Sequence, residues 1–283
     1  MAGSLKQIKN RLRSIENTAK ITHAMEMVSS SKLKSSEMFL NSNRAYYRAL
    51  AEAASSVVNR GAGLKHPYLT AAADDSPVVL ILVTSDTGLC STYNHEIIRQ
   101  AEDFLKNNPP SRARIIAIGK KGFDHFQKKG YPVIAGFLGL QARYKPGIAE
   151  DVFQRAEELF RKDNARVYIA YTGFVSALNY RPQVEKLLPV EKAKEPGAAY
   201  LFEPSAKQLL EKVLAGLILA KIRMCILESF SSEHSSRAIA MKSATDNAKD
   251  LKKYLILTRN KMRQAQITKE VIEVISSAEA LKG

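Results

Sequence analysis

Residues 4–60 read SLKQIKNRLRSIENTAKITHAMEMVSSSKLKSSEMFLNSNRAYYRALAEAASSVVNR, a stretch with neither proline nor glycine. In a helix interior Pro costs ~3 kcal/mol and Gly ~1 kcal/mol, so an absence this long predicts helix. Within it Leu5, Ile8, Leu12, Ile15 and Ala19 step by 3, 4, 3, 4, the spacing of a coiled-coil seam. The seam is then expected to shift. Ile21, Met25 and Val28 continue it one position early, before Leu33, Leu40, Tyr47, Leu50, Ala54 and Val57 resume the first register. The other end mirrors this: Ser205 to Lys282 has no Pro and one Gly, Gly216. There Leu251, Leu255, Thr258, Met262 and Ala265 form one stripe, and Ile267, Val271, Val274 and Ala278 a second, rotated one. A helix with one apolar stripe is unstable alone and buries it against a partner. The two ends are therefore expected to pair as a long antiparallel coiled coil. At 1.5 Å per residue they would run ~85 Å and ~115 Å, against ~50 Å for a compact globule of this length, so the pair is expected to protrude.

Between these ends lies a different kind of sequence. All ten prolines fall between Pro67 and Pro204, and eleven of the fourteen glycines between Gly61 and Gly197. Val78 to Thr84 is a continuous apolar, β-branched run, the mark of a strand buried on both faces. Helices are expected over Asn94–Asn107, Gly122–Lys129 and Ile148–Arg161, and strands over Arg114–Ile118, Pro132–Ala135 and Val167–Thr172. Strand–helix alternation predicts a Rossmann-like α/β domain. The expected organisation is an N-terminal helix over 1–66, a central α/β domain over 67–204 and a C-terminal helix over 205–283.

The chain has 283 residues, is 45% hydrophobic and carries a formal charge of +15. That content supports a real core and argues against disorder. No apolar run reaches the ~18 residues that would span a bilayer, and the basic start, Met1 to Arg13, is followed by no apolar region of a signal peptide. Two distant cysteines, Cys90 and Cys225, exclude a disulfide framework and point to a reducing compartment. The excess charge sits at the helical ends, net +6 over Ser4–Arg60 and net +6 over Ser205–Gly283. This suits an acidic partner. Trp is absent and the ends offer few aromatics for base stacking, which weakens a nucleic-acid reading. Serines such as Ser29, Ser30, Ser31, Ser35 and Ser36 limit interlocking with a neighbour, although they equally suit solvent positions.

Catalytic chemistry is hard to place. The turn Ser85-Asp86-Thr87-Gly88-Leu89-Cys90-Ser91 lies where such sheets bind phosphates, yet it lacks both G-x-G-x-x-G and GK[ST]. Cys90 with His95 nearby is weak evidence for a nucleophile, and a buried structural cysteine fits better. His23, His66, His95, His125 and His234 show no metal spacing, and no G-x-S-x-G elbow is present. Two readings rest on the residues alone: a coiled-coil protein associated with nucleic acid or chromosomes, from the charge, and an α/β enzyme with a helical dimerisation arm that uses Cys90.

Four stretches, in order, resemble the gamma subunit family of bacterial F-type ATP synthases. Ile21-Thr22-His23-Ala24-Met25-Glu26-Met27-Val28, with Ser31-Lys32-Leu33, is similar to its amino-terminal motif. Asp86-Thr87-Gly88-Leu89-Cys90 with Tyr93-Asn94 is similar to its central loop. Ser232-Glu233-His234-Ser235-Ser236-Arg237, then Ala240-Met241 and Ala244-Thr245-Asp246-Asn247-Ala248, resembles its penultimate stretch. The run from Asn260 to Glu270 leads into its terminal motif. The chain departs from the family at Glu26, where Lys is usual, at Ser91-Thr92, where Gly-Gly is usual, and at Ser277, where Gly is usual.

The resemblance implies a rotor shaft. Its coiled coil would sit inside a hexamer of alpha and beta subunits, and its α/β domain would stand on the membrane-embedded c-subunit ring beside epsilon. Ion flow would turn the ring, and the asymmetric shaft would drive ATP synthesis or hydrolysis at the beta subunits. The chain itself would need no cofactor or metal and would bind no nucleic acid. It would be peripheral, at the cytoplasmic face of the bacterial inner membrane, and would meet the membrane only through the complex. Met25, Glu26, Arg263, Gln264, Thr268 and Glu270 match residues that contact the stator. Tyr200, Leu201, Phe202 and Glu203 match the foot that meets the c ring and epsilon.

Overall fold

The computed structural model describes residues 2–60, 66–70, 72–73, 75–190 and 206–280. In chain order it contains α1 (Ala2–Arg60), a 3-10 turn (Pro67–Leu69), β1 (Val78–Val83), α2 (Tyr93–Leu105), β2 (Ala113–Ile118) and α3 (Lys120–Lys128). Next come β3 (Val133–Phe137), α4 (Ile148–Asp163), β4 (Arg166–Ser176), β5 (Asn179–Leu188) and α5 (Ala206–Ala280). The chain divides into two compact units. One comprises Met1–Ser29 with Ala238–Gly283, the other Ser30–Arg237.

The larger unit is built on a five-stranded mixed sheet in the order β3-β2-β1-β4-β5. β1 pairs in parallel with β2 and β4, β2 in parallel with β3, and β4 antiparallel with β5. The run Val78–Val83 is the central strand, buried at every position. Its side chains alternate between faces. Val79, Ile81 and Val83 join Ile116 and Ile118 beneath α4, while Leu80 and Leu82 join Ile115 and Ala117 beneath α2 and α3. The first of these cores also takes Leu214, Ile218, Ile222, Cys225, Ile226 and Phe230 from α5. Gly119, at φ +94°, lets the chain leave β2 beside β1, because a Cβ there would fall 2.1 Å from the Thr84 carbonyl oxygen.

Each expected strand and helix of the middle region is present, and one further strand appears. The alternation did not suggest β5, which carries Arg181, Pro182, Glu185 and Lys186 among its residues. An edge strand tolerates a proline and polar side chains because one side of it makes no ladder.

In the smaller unit, α1 and α5 lie antiparallel. The Thr22 and Thr245 hydroxyls are hydrogen-bonded at 2.7 Å, and Lys252 pairs with Glu16 at 2.9 Å. The expected shift of seam on α1 does not occur. Ile21 and Val28 are exposed, and Thr22 and Ser29 are buried in their place. Leu12, Thr22, Ser29, Leu40 and Ala54 all lie on one unbroken 3–4 series begun at Leu5. A heptad counts positions and does not require them to be apolar, and at close helix approach small hydroxyl side chains fill these sites. On α5 the inner positions are Met241, Thr245, Ala248, Lys252, Leu255, Arg259 and Met262, while Leu251 and Ala265 face solvent. The second stripe, Ile267 to Ala278, does not pair with α1. Extended to Ala2, the register set by Thr22–Thr245 and Glu16–Lys252 ends opposite about Gln266, so the later turns of α5 have no α1 residue across from them among the described residues.

Candidate functional site

The larger unit contains an unusual length of helix. α5 is buried at every position from Cys225 to Arg237, although this segment includes five serines, two glutamates, a histidine and an arginine. Buried polar groups need partners, and the surrounding loops supply most of them, leaving Ser231 Oγ, Glu233 Oε2 and His234 Nδ1 without one among the described residues. Ser229 accepts from the Thr172 amide at 2.9 Å, and Tyr93 donates to the Ser229 carbonyl at 3.1 Å. Ser232 donates to the Thr172 carbonyl, Ser235 to that of Ala177 and Ser236 to that of Cys90. Arg237 donates to Glu233 at 2.7 Å, to the Thr87 hydroxyl at 3.2 Å and to the Gly88 carbonyl at 3.4 Å. The turn after β1 and the α5 segment Ser232–Arg237, two of the motifs noted in the sequence, thus form one clasp.

The clasp is ordered from both sides. Asp86 accepts from the backbone amides of Lys120, Gly139 and Gln141 and so ties three loops together. Asn94 accepts from the Ser85 amide and donates to the Ser85 hydroxyl at 2.7 Å. Leu89 and Ser91 adopt positive φ, +62° and +49°. Glu233 is 1% exposed. Burial raises its carboxyl to about 7, against the pull of Arg237. Burial also lowers His234 to about 4, so its imidazole is neutral, with Nε2 bonded to the Ala142 carbonyl at 2.9 Å. Burial pushes the Cys90 thiol up, and His95 is exposed, so the pair does not form an activated nucleophile. No cluster of metal-ligating side chains occurs among the described residues. The arrangement fastens a helix to a sheet, which is a mechanical task.

The smaller unit has its own character: small hydroxyl side chains share its seam with Leu12, Met241 and Leu255, and several large apolar side chains stand on its outer surface among the charged ones. Ile21, Met27 and Val28 of α1 and Leu251, Tyr254 and Leu257 of α5 are all exposed. On the unpaired end of α5, Val271 is 51% and Val274 68% exposed, with Ile267, Ile272 and Ile275 similarly open. On a helical wheel, with 100° per residue, these side chains and Ala278 spread over about 160°, wider than the ~100° that one packing surface covers.

Arg263, Gln264, Thr268 and Glu270 all lie exposed on this end of α5. Thr268 donates to the Gln264 carbonyl and Glu270 accepts from Gln266, both at 2.9 Å. Met25 and Glu26 are half-buried on α1, Glu26 lying 3.3 Å from His23. By the register they stand level with Met241 and Lys242, about 30 Å along α5 from Arg263, so the six residues form two separate groups. Tyr200, Leu201, Phe202 and Glu203 lie outside the described residues. Asp86, Glu233 and Arg237 stand within the motifs noted in the sequence, where nothing local marks them as the ties of a clasp beyond the i,i+4 spacing of Glu233 and Arg237 within a serine-rich run.

A family model described as ATP synthase matches residues 4–281. The ATP synthase gamma chain of Pelotomaculum thermopropionicum is 36% identical over 284 residues and that of Herpetosiphon aurantiacus 37% over 295, each match covering at least 98% of both chains. The chain belongs to the ATP synthase gamma chain family. A gamma chain is the central-stalk, rotor subunit of the synthase and is not itself catalytic. The fold agrees. A chain of the Euglena gracilis mitochondrial ATP synthase, solved with OSCP, F1 and c-ring, superposes with a TM-score of 0.65 at 19% identity, covering 99% of this chain and 95% of that one. One from the Tetrahymena thermophila mitochondrial ATP synthase central stalk and c-ring superposes with a TM-score of 0.58 at 22% identity, covering 79% and 99%. Membership of this family removes the nucleic-acid and Cys90-enzyme readings. No helix among the described residues is long and apolar enough to cross a membrane.

Proposed function

We propose that the chain turns as a shaft within a ring of alternating alpha and beta subunits, its sheet-containing region standing on the c ring beside epsilon. The functional division would follow the sequence, with helical segments 1–66 and 205–283 as shaft and 67–204 as foot. The observation that carries this reading is the unpaired end of α5. It presents an apolar arc too broad for a single neighbour, and a surrounding ring would cover it from several directions. The large apolar side chains exposed on the paired helices, among them Ile21, Val28, Tyr254 and Leu257, support the same reading. Around Thr22, Ser29 and Thr245 the small seam residues let the two backbones approach closely, which suits a narrow shaft. Met25, Glu26, Arg263, Gln264, Thr268 and Glu270 would meet stator loops, and Tyr200, Leu201, Phe202 and Glu203 the c ring and epsilon. The complex would hold the chain at the cytoplasmic face of the inner membrane.

Cysteine cross-linking tests both ends. Cys90 and Cys225 are buried, so an introduced cysteine is the reactive one. In the assembled complex, Ile275→Cys should be captured by alpha or beta and Leu201→Cys by c or epsilon. The reverse pattern would overturn the placement.

A further inference from the structure

We propose that the larger unit carries a binding site for a small anion with an aromatic body, such as an aryl phosphate, in the cavity between α1, the loop before α4, and α5. This goes beyond the rotor reading and does not rest on it. The cavity is about 690 Å³, within the range of small-molecule sites. α1 contributes Lys32 and Phe39, the loop Arg143 and Tyr144, and α5 Arg223 and His234.

The chemistry of these walls is uneven. Arg223 is held by Glu150 at 2.5 Å, whereas Lys32 and Arg143 have no ion-pair partner among the described residues. The lining is therefore net cationic, with two cations open to an anion. Phe39 is exposed, and with Tyr144 it offers aromatic surface for a flat apolar body. Four of the eight buried side-chain polar atoms that lack a close hydrogen bond among the described residues belong to this lining: Tyr144 Oη, Glu150 Oε2, Arg223 Nε and His234 Nδ1, with the Tyr144 hydroxyl interacting with Arg223. Buried polar atoms are ordinarily paired, and half of the exceptions line this one cavity. With Nε2 bonded to the Ala142 carbonyl and the ring neutral, His234 Nδ1 is an acceptor and suits the remaining proton of a phosphate monoanion, the form present below about pH 6. The loop is also strained, with Gln141 and Ala142 at φ +50° and +52°, as loops that hold ligands often are. A ligand seated here would touch α1, the loop and α5 together and so brace the unit.

The test is calorimetric titration of the full chain with phenyl phosphate, inorganic phosphate and benzyl alcohol. Phenyl phosphate should bind in one-to-one ratio and at least tenfold more tightly than either fragment. Lys32→Gln with Arg143→Gln should weaken it at least tenfold, and Phe39→Ala several-fold. Lys249→Gln, on an exposed face of the smaller unit, should leave it unchanged. The circular dichroism of each variant should match that of the parent. No saturable binding, binding of phosphate alone with equal strength, or equal loss in the Lys249→Gln control would each overturn the proposal.

Discussion

Replacing Arg237 by Ala removes the only cation hydrogen-bonded to Glu233 among the described residues and leaves that carboxyl 1% exposed. Deleting one partner of a buried pair costs up to ~3–5 kcal/mol, and here the carboxyl, already raised by burial, would take up a proton and keep no charge. The bonds to Thr87 and Gly88 are lost as well. Glu233→Gln should behave differently. Its carboxyl is raised from the ordinary 4.5 to about 7, so the folded state holds the proton more tightly than the unfolded chain. The stability this gives is complete below pH 4.5 and is lost as pH rises to about 7. The raised value corresponds to roughly 3 kcal/mol. Gln keeps the shape and an acceptor for Arg237 but never ionises. Urea unfolding of the full chain, followed by tyrosine fluorescence since Trp is absent, should show Glu233→Gln gaining on the parent by roughly 2–3 kcal/mol between pH 5 and pH 8. In the assembled synthase, Arg237→Ala should reduce ion-driven ATP synthesis more than ATP hydrolysis, because the helix would be less firmly tied to the sheet. A pH-independent gap between Glu233→Gln and the parent, or a cost below ~1 kcal/mol for Arg237→Ala, would refute the buried-pair account.

Two further substitutions probe other parts of the structure. Ser91→Gly places glycine at φ +49°. Relief of left-handed strain, less the added chain entropy, should raise stability by about 0.5–1 kcal/mol, read as a higher urea midpoint. Arg263→Ala with Gln264→Ala should slow turnover of the assembled enzyme, each lost charge-assisted hydrogen bond weighing ~1.5–3 kcal/mol. Unfolding of the free chain should hardly change, because both side chains are exposed. Loss of helix stability with normal turnover would show that they serve the shaft itself.

Most of the fold was legible because its signals are local. Val78–Val83 announces a central strand by composition alone, and the Pro- and Gly-free ends announce long helices. What remained hidden depends on contacts made elsewhere in the chain. The strand β5 carries the pattern of an edge, which differs little from a polar loop until Thr172 and Pro182 are seen as neighbours. The seam of α1 was misread at Ile21 and Val28 because apolar residues were assumed to point inward. Here the inward positions are Thr22 and Ser29, and the apolar ones face out. That inversion is understandable once an outer partner is supposed, which a single chain does not display. The clasp was hidden for a related reason. Glu233, His234 and Arg237 resemble an ordinary solvated helix face, and only the loops around Thr87, Cys90 and Ala142 turn that face into an interior.

Rotation of this chain within a fixed ring is the central claim, and it can be watched directly. With Cys90 and Cys225 buried, Lys106→Cys places one reactive thiol on an exposed position of the larger unit. The alpha–beta ring would be fixed to a surface, a bead attached through that thiol, and ATP supplied. The account predicts stepwise turning of the bead in one direction, at a rate that follows ATP hydrolysis. Hydrolysis at full rate by singly labelled complexes, with the bead held in one orientation, would contradict it.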